Sequence, residues 1–215
     1  MAPANVELPL LHAADDLLVF HKPAGLLCQP GLGPTQADSL ITRVQQRWPE
    51  ARLVHRLDRD TSGLLLVALS AALHRRLSEL FARRLVHKTY IADVRGVPAL
   101  PAGRIALAIA KRQHRPPLYG PDADGKPSRT DWRCWGVAPL AGCSRLVLHP
   151  HTGRSHQLRV HLQAIGHPIL GDPLYGAIQR DQQQGIVRLH LHAAGLRFQH
   201  PFSGARLRLR APCPF

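Results

Sequence analysis

"LVHRLDRDTSGLLLVALS", residues 53–70, decides how the rest of the chain is read. It opens polar, with Asp58 set between Arg56 and Arg59, passes through Thr61-Ser62-Gly63, and ends in the apolar run 64–69. A short run that is apolar at every position reads as a central strand covered on both faces. The Thr-Ser-Gly before it is turn chemistry. The stretch therefore puts one carboxylate in a loop at the mouth of a buried strand, where loops present functional groups. An Asp followed by turn residues is equally explained by a side chain bonding its own backbone. The flanking arginines speak for more, because a nearby cation favours the ionised carboxylate. Such a carboxylate can serve as nucleophile, as base, or as stabiliser of positive charge at a sugar C1′.

Outward from this loop the chain carries strand and helix signals with no repeat and no linker, and its 215 residues suit one domain. Residues 1–14 read as a leader arm. "DLLVF" (16–20) reads as a strand and "HKPAGLLCQPG" (21–31) as a turn-rich loop. "DSLITRVQQRW" (38–48) has Leu40, Val44 and Trp48 at helical spacing, with Asp38 as N-cap. Ser70 can cap "AALHRRLSELFARR", whose Leu73, Leu77, Leu80 and Phe81 form one stripe opposite His74, Arg75, Arg83 and Arg84. Strands are expected at 88–94, 103–109, 128–137 and 143–150, with a polar, Pro-rich mobile loop at 111–127. Residues 155–166 read as a helix with Leu158, Leu162 and Ile165 inward and Gly166 as its stop. Further strands are expected at 187–193, 195–200 and 205–211. The last sets Leu207 and Leu209 against Arg206, Arg208 and Arg210. This strand-heavy order predicts an α+β fold rather than a doubly wound parallel sheet.

The chain has 28 Lys and Arg against 14 Asp and Glu, a net charge of +14. A field of that sign attracts polyanions. All the basic residues but Lys22, Lys88, Lys111 and Lys126 are Arg, whose fork matches phosphate oxygens. A compositional bias accounts for Arg over Lys but not for the scarcity of acids. No stretch resembles a signal peptide and no apolar run reaches about 18 residues, so neither export nor a membrane span is indicated. Cys28, Cys134, Cys143 and Cys213 form no C-x-x-C pair and read as reduced thiols of a cytoplasmic protein. His149, His151, His156 and His161 cluster, but without H-E-x-x-H or a Cys pair they suit RNA contacts or structure rather than a metal. P-loop, G-x-G-x-x-G and zinc-deaminase patterns are absent. A glycosidase needs a second carboxylate, and Asp60 lies too close in sequence to supply it.

A second cluster, "HPHTGRSHQLRVHL" (149–162), carries Arg154 from a Thr-Gly turn to a helix start, with His156, Gln157, Arg159 and His161 following. It reads either as an amphipathic helix with a solvated basic face or as a phosphate-binding helix start, and Arg154 can also point at a carboxylate. Alternation puts Tyr90 on one face with Lys88, Ala92 and Val94, as a core tyrosine or as a platform and phenolic acid/base beside a flipped base.

Several motifs in order carry a resemblance. "HRLDRDTSGLLLVAL" (55–69) resembles the H-R-L-D-x-x-T-S-G segment of RluA-type RNA pseudouridine synthases. "HKPAGLLCQPG" is similar to that family's K-P-x-G motif, and "KTYIADVRG" (88–96) to its tyrosine strand. "HTGRSHQLRVHLQAIGHPILGDPLYG" (151–176) is similar to its arginine motif, and "LHLHAAGLRFQHP" (189–201) to its C-terminal one. The resemblance implies a mixed, largely antiparallel sheet with flanking helices and a central RNA-binding cleft, in one catalytic domain. It implies isomerisation of uridine to pseudouridine in RNA without cofactor or metal. It implies Asp58 as catalytic aspartate, Tyr90 as active-site tyrosine and Arg154 as the basic partner of Asp58. Arg56 would fill the gap left by a flipped uridine, and Leu191 would pack near the tyrosine. His55, Thr61, His156, Gln157 and Arg159 complete the expected RNA contacts. The chain resembles short members that lack an extra N-terminal RNA-binding domain. Expected substrates are large-subunit ribosomal RNA, tRNA stem-loops or both; the alternatives are a tRNA-only synthase and a non-catalytic RNA-binding protein.

Overall fold

The computed structural model describes residues 8–14, 16–114, 116–138 and 140–215. The chain groups into two compact units, one of residues 1–87 and 193–214, the other of residues 88–192 and 215.

The first unit opens with β1 (Leu10–Ala14) and β2 (Leu17–Lys22), then α1 (Leu40–Gln45), β3 (Arg52–Leu53), β4 (Ser62–Ala68) and α2 (Ala71–Ala82). The run read as a central strand is β4, buried at every position. It pairs antiparallel with β2 from Leu17↔Ala68 to Lys22↔Gly63, and with β3 at Leu53↔Val67. Alternation divides its side chains between two faces. Leu64 and Leu66 pack with Leu17, Val19, Leu73 and Leu77 under α2. On the alternate face of β2, Phe20 meets Trp48 edge-on at 6.2 Å. Gly63 has φ +120°, and a Cβ there would come within 2.3 Å of the Ala193 carbonyl, so only glycine fits the close of the Thr-Ser-Gly turn.

Ser70 caps α2 as expected: its hydroxyl accepts from the Leu73 amide at 3.1 Å and donates to Asp16 at 2.5 Å. For α1 the cap is Ser39, not Asp38. Ser39 Oγ accepts from the Thr42 amide while Thr42 Oγ1 accepts from the Ser39 amide. That reciprocal pair satisfies two orphan donors at once, and Asp38 instead grips Arg43 through two bonds of 2.8 and 2.6 Å.

The second unit holds most of β5 (His87–Arg95), then β6 (Ala102–Ile105), β7 (Ile109–His114), β8 (Pro117–Pro121), β9 (Thr130–Val137), β10 (Cys143–Pro150), α3 (Gln157–Ala164) and α4 (Ile178–Gln183). Its sheet runs β5-β10-β9-β6, every pairing antiparallel. Leu158 and Leu162 of α3 pack with Ala92, Val94, Leu146 and Leu148. The chain ends with β11 (Leu191–Gln199), whose residues from Ala193 on lie in the first unit, and β12 (Arg206–Arg210), paired antiparallel to it. Leu196 and Phe198 join the core under α2.

Several expectations are corrected. The leader's residues 1–7 lie outside the described residues, but Leu10–Ala14 forms a strand on β2. Residues 103–109 are not one strand: β6 ends at Ile105, and β7 begins at Ile109. The 111–127 segment is chiefly the end of a β-hairpin, β7 paired with β8 in a two-stranded sheet, followed by a turn. Two of its four prolines, Pro117 and Pro121, sit at the ends of β8, where a missing donor is tolerated. The two strands expected at 187–193 and 195–200 are one, β11, running through Gly195, which lies opposite Arg210.

Leu66 is fully buried between β2 and α2. Leu66→Ala should lower unfolding free energy by about 3 kcal/mol, the usual cost of a leucine-sized core deletion. Denaturant titration checks this, with Leu207→Ala, only partly buried, losing less.

Candidate active site

Asp58 is half-buried, in the loop between β3 and β4. The backbone on both sides of it is held from the 22–28 segment. Lys22, the last residue of β2, is fully buried, and its ammonium donates to the carbonyls of Pro23 at 2.8 Å, Leu26 at 2.7 Å and Arg59 at 2.8 Å. Three donors thus meet three acceptors, which is what makes a buried ammonium tolerable. The Gly25 amide adds a second bond to the Arg59 carbonyl at 2.9 Å. On the other side, Cys28 Sγ accepts from the Leu57 amide and donates to the Leu57 carbonyl, both at 3.2 Å. Burial pushes the Cys28 thiol up, which keeps the proton this bond needs. The Thr61 amide closes the turn onto the Asp58 carbonyl at 3.2 Å. Asp58 is therefore the one residue between two clamped backbone positions. Arg56 is exposed, and Arg59 turns to Asp60 at 3.0 Å.

His55 has a structural place. Its Nε2 accepts from the Leu66 amide at 3.2 Å, and its ring stacks on Phe81 at 4.7 Å. Thr61 is buried.

In the second unit Tyr90 lies half-buried on β5, opposite Leu148, and packs on the cluster that contains buried Leu191. The turn carrying Arg154 is held by Gln157. Gln157 Oε1 accepts from the Thr152 hydroxyl at 2.7 Å and the Arg154 amide at 3.1 Å. Its Nε2 donates to the Arg129 carbonyl at 3.1 Å and Thr130 Oγ1 at 3.0 Å. Lys88 Nζ donates to the Thr152 carbonyl at 2.9 Å. Arg154 Nε is buried and has no hydrogen-bond partner among the described residues. An orphaned buried donor costs free energy; Arg129 Nε is a second such donor.

Of the two readings of this helix, the solvated basic face is not there: α3 is buried at six consecutive positions, Gln157 to Leu162. Arg159 is 3% exposed and grips Asp172 through two bonds of 2.7 Å, under the Tyr175 ring. His156, in left-handed conformation at φ 55°, bonds the Tyr175 hydroxyl at 2.8 Å; the Tyr119 amide of β8 donates to the same hydroxyl at 2.9 Å. His161 Nε2 donates to the Leu107 carbonyl and Nδ1 accepts from Thr130, both at 3.0 Å. Burial lowers its pKa. His151 bonds Asp131 at 2.7 Å, and His149 lies 3.3 Å from the Lys88 carbonyl. Burial alone would raise the pKa of Asp93 on β5, but Arg145 at 2.7 and 2.8 Å and His190 at 3.1 Å bring it below the usual range.

Residues 16–164, which carry the Asp58, Tyr90 and Arg154 segments, match the family model of RNA pseudouridylate synthase. The chain belongs to the RNA pseudouridine synthase family. The synthase is 40% identical over 214 residues to the dual-specificity RNA pseudouridine synthase RluA of Escherichia coli (strain K12), covering 99% of this chain and 96% of that one. It is 40% identical over 219 residues to the RluA of Vibrio vulnificus (strain CMCP6), covering 100% and 87%. Among solved structures it is similar to human RNA pseudouridylate synthase domain containing 1, with TM-score 0.83, 32% identity, and 100% and 87% of the chains covered. The synthase isomerises uridine to pseudouridine in RNA. Among its described residues no helix is long and apolar enough to cross a membrane.

Lys22, Cys28 and Tyr175 support the site without being among the expected site residues, and Gln157, expected as an RNA contact, holds the Arg154 turn. The K-P-x-G spelling is the signal for Lys22; Cys28 and Tyr175 are ordinary residues whose partners only the fold supplies. Lys22→Met should cost at least about 2 kcal/mol, since buried carbonyls lose their donor, and should lower kcat more than it changes RNA affinity. Unfolding and single-turnover assays read both. His161 is depressed in the folded state, so the unfolded chain binds the extra proton. Its contribution is present above the unfolded value of about 6.5 and is lost as pH falls through it toward the folded value. Stability measured from pH 8 to 5 should therefore decline below about 6.5, and less so in His161→Gln.

Proposed function

We propose that Asp58, Tyr90 and Arg154 are the catalytic set of this synthase, and that its two units act as one catalytic domain. The observation that carries the reading is the pair of clamps on Leu57 and Arg59, which leave Asp58 alone between fixed backbone positions. Positioning of this kind is what catalysis asks of a reacting group. Asp58 acts on the target nucleotide while the base leaves C1′, turns, and rejoins through C5. No redox change is involved and no water is consumed. Arg154, with its orphaned Nε, is the basic partner of Asp58 in this reading. Tyr90 flanks the flipped base, packed against the cluster that holds Leu191. Arg56, exposed two residues before Asp58, takes the space the uridine vacates. His156 and Thr61 support the RNA-facing loops, and His55, Gln157 and Arg159 serve by fixing the backbone.

The substrates proposed are stem-loops of large-subunit ribosomal RNA, of tRNA, or of both. The dual specificity in the names of the Escherichia coli and Vibrio relatives supports two substrates. A cytoplasmic location follows from such substrates and from four free cysteines.

Asp58→Asn should abolish pseudouridine formation and largely keep RNA affinity, which comes chiefly from phosphate contacts. Arg154→Ala should lose nearly as much, and Arg154→Lys should retain part, because a point charge restores the sign but not the fork. Turnover by a sequence-verified Asn variant would remove Asp58 from the mechanism. Full activity in Arg154→Ala with none in Arg59→Ala would move the cation into the loop.

A further inference from the structure

The arginines of β12 form a feature that the catalytic set does not use. β12 is bonded to β11 alone. The register sets Gly195 opposite Arg210, Arg197 opposite Arg208, and Gln199 opposite Arg206. Leu207 and Leu209 pack inward on the cluster of Leu196 and Phe198. Alternation turns Arg197, Arg206, Arg208 and Arg210 to the other face, and all four are exposed.

Some exposed arginines elsewhere are matched to a carboxylate, while others, Arg52, Arg75 and Arg133 among them, have no ion pair among the described residues. Arg59 pairs with Asp60, Arg76 with Glu79, Arg104 with Asp131 and Arg112 with Asp122. Among the described residues the four ladder arginines have no ion pair and no hydrogen bond from their side chains. Arg197 and Arg208 also lie directly opposite one another, and like charges in that position destabilise a sheet. A single charge is enough to protect an edge strand from pairing with another chain. Four of one sign, two of them opposed, go beyond that need and cost stability until an anion binds.

We propose that this face is a second RNA-binding surface, which takes the phosphodiester backbone of the substrate outside the residues of the Asp58 loop. Alternate residues of a strand lie about 6.7 Å apart and neighbouring strands about 4.8 Å apart. The four guanidinium groups thus form a two-row array of paired donors suited to successive phosphates. Nothing in the array reads a base, so it adds affinity and orientation without sequence preference. It serves long structured RNA, which reaches past the target loop, more than a minimal stem-loop.

The inference rests on RNA as the substrate, and the test separates the two. The variants are Arg197→Gln/Arg206→Gln/Arg208→Gln/Arg210→Gln, the same four positions changed to Lys, and Arg208→Gln alone. Each is compared with wild type in binding a long ribosomal RNA transcript and a minimal stem-loop across a salt series, with Tm and turnover on the stem-loop. The quadruple Gln variant should have equal or higher Tm and unchanged kcat on the stem-loop. On the long transcript its log Kd against log salt should be shallower by about 0.7 for each phosphate it no longer neutralises, roughly 2 or more in all. The Lys set should keep most of the wild-type slope. Should the quadruple Gln variant fold poorly, Arg208→Gln alone should still lower the slope by about 0.7. A wild-type slope and Kd in the Gln variants, or a Lys set as weak as the Gln set, overturns the proposal. A wild type with neither RNA affinity nor turnover would instead overturn the reading of the enzyme.

Discussion

One buried ammonium sets the geometry on which the candidate site depends. Lys22 is fully shielded from solvent, and its three protons go to the carbonyls of Pro23, Leu26 and Arg59. Burying a cation is costly unless every donor is met. Here the partners that meet it belong to two loops 37 residues apart in sequence at Arg59. The charge can stay buried only if the loop carrying Asp58 keeps this shape. Cys28 makes the same demand of Leu57 with a neutral thiol. The strong β2–β4 ladder delivers Lys22 opposite Gly63, so the rigidity of the sheet is passed to the loop.

The second unit follows the same rule with different chemistry. Around α3 nearly every buried polar group is answered: Gln157 uses both its oxygen and its amide, Arg159 is matched to Asp172, and His161 is held neutral between Thr130 and Leu107. Among the described residues of this unit, the exceptions are the Nε atoms of Arg154 and of Arg129, both buried without a hydrogen-bond partner. Fully satisfied networks specify one arrangement, and each unsatisfied member calls for an explanation, which the proposed pairing with Asp58 supplies for Arg154.

Much of this could be read from the amino-acid sequence. The buried β4, the Ser70 cap, the position of Asp58 and the α+β class follow from local pattern, because apolar runs and caps act within a few residues. What escaped depends on partners far along the chain. Residues 111–127 look like a loop because the hairpin is polar and Pro-bounded, and its docking bond comes from Tyr175. The 149–162 segment looks like a solvated basic helix because Asp172, which neutralises Arg159, lies beyond it. His55 reads as an RNA contact from sequence, and its bond from the Leu66 amide could not be foreseen there. In each case polarity was read as exposure, whereas the fold had paired it.

The central claim is that this protein makes pseudouridine in cellular RNA. Mapping pseudouridine at nucleotide resolution in total RNA, from cells with and without the gene, tests it most directly. A small number of uridines in large-subunit ribosomal RNA, tRNA or both should lose the modification in the deletion strain and regain it when the gene is restored. Identical maps in the two strains, with the protein shown to be expressed in the parent, would contradict it.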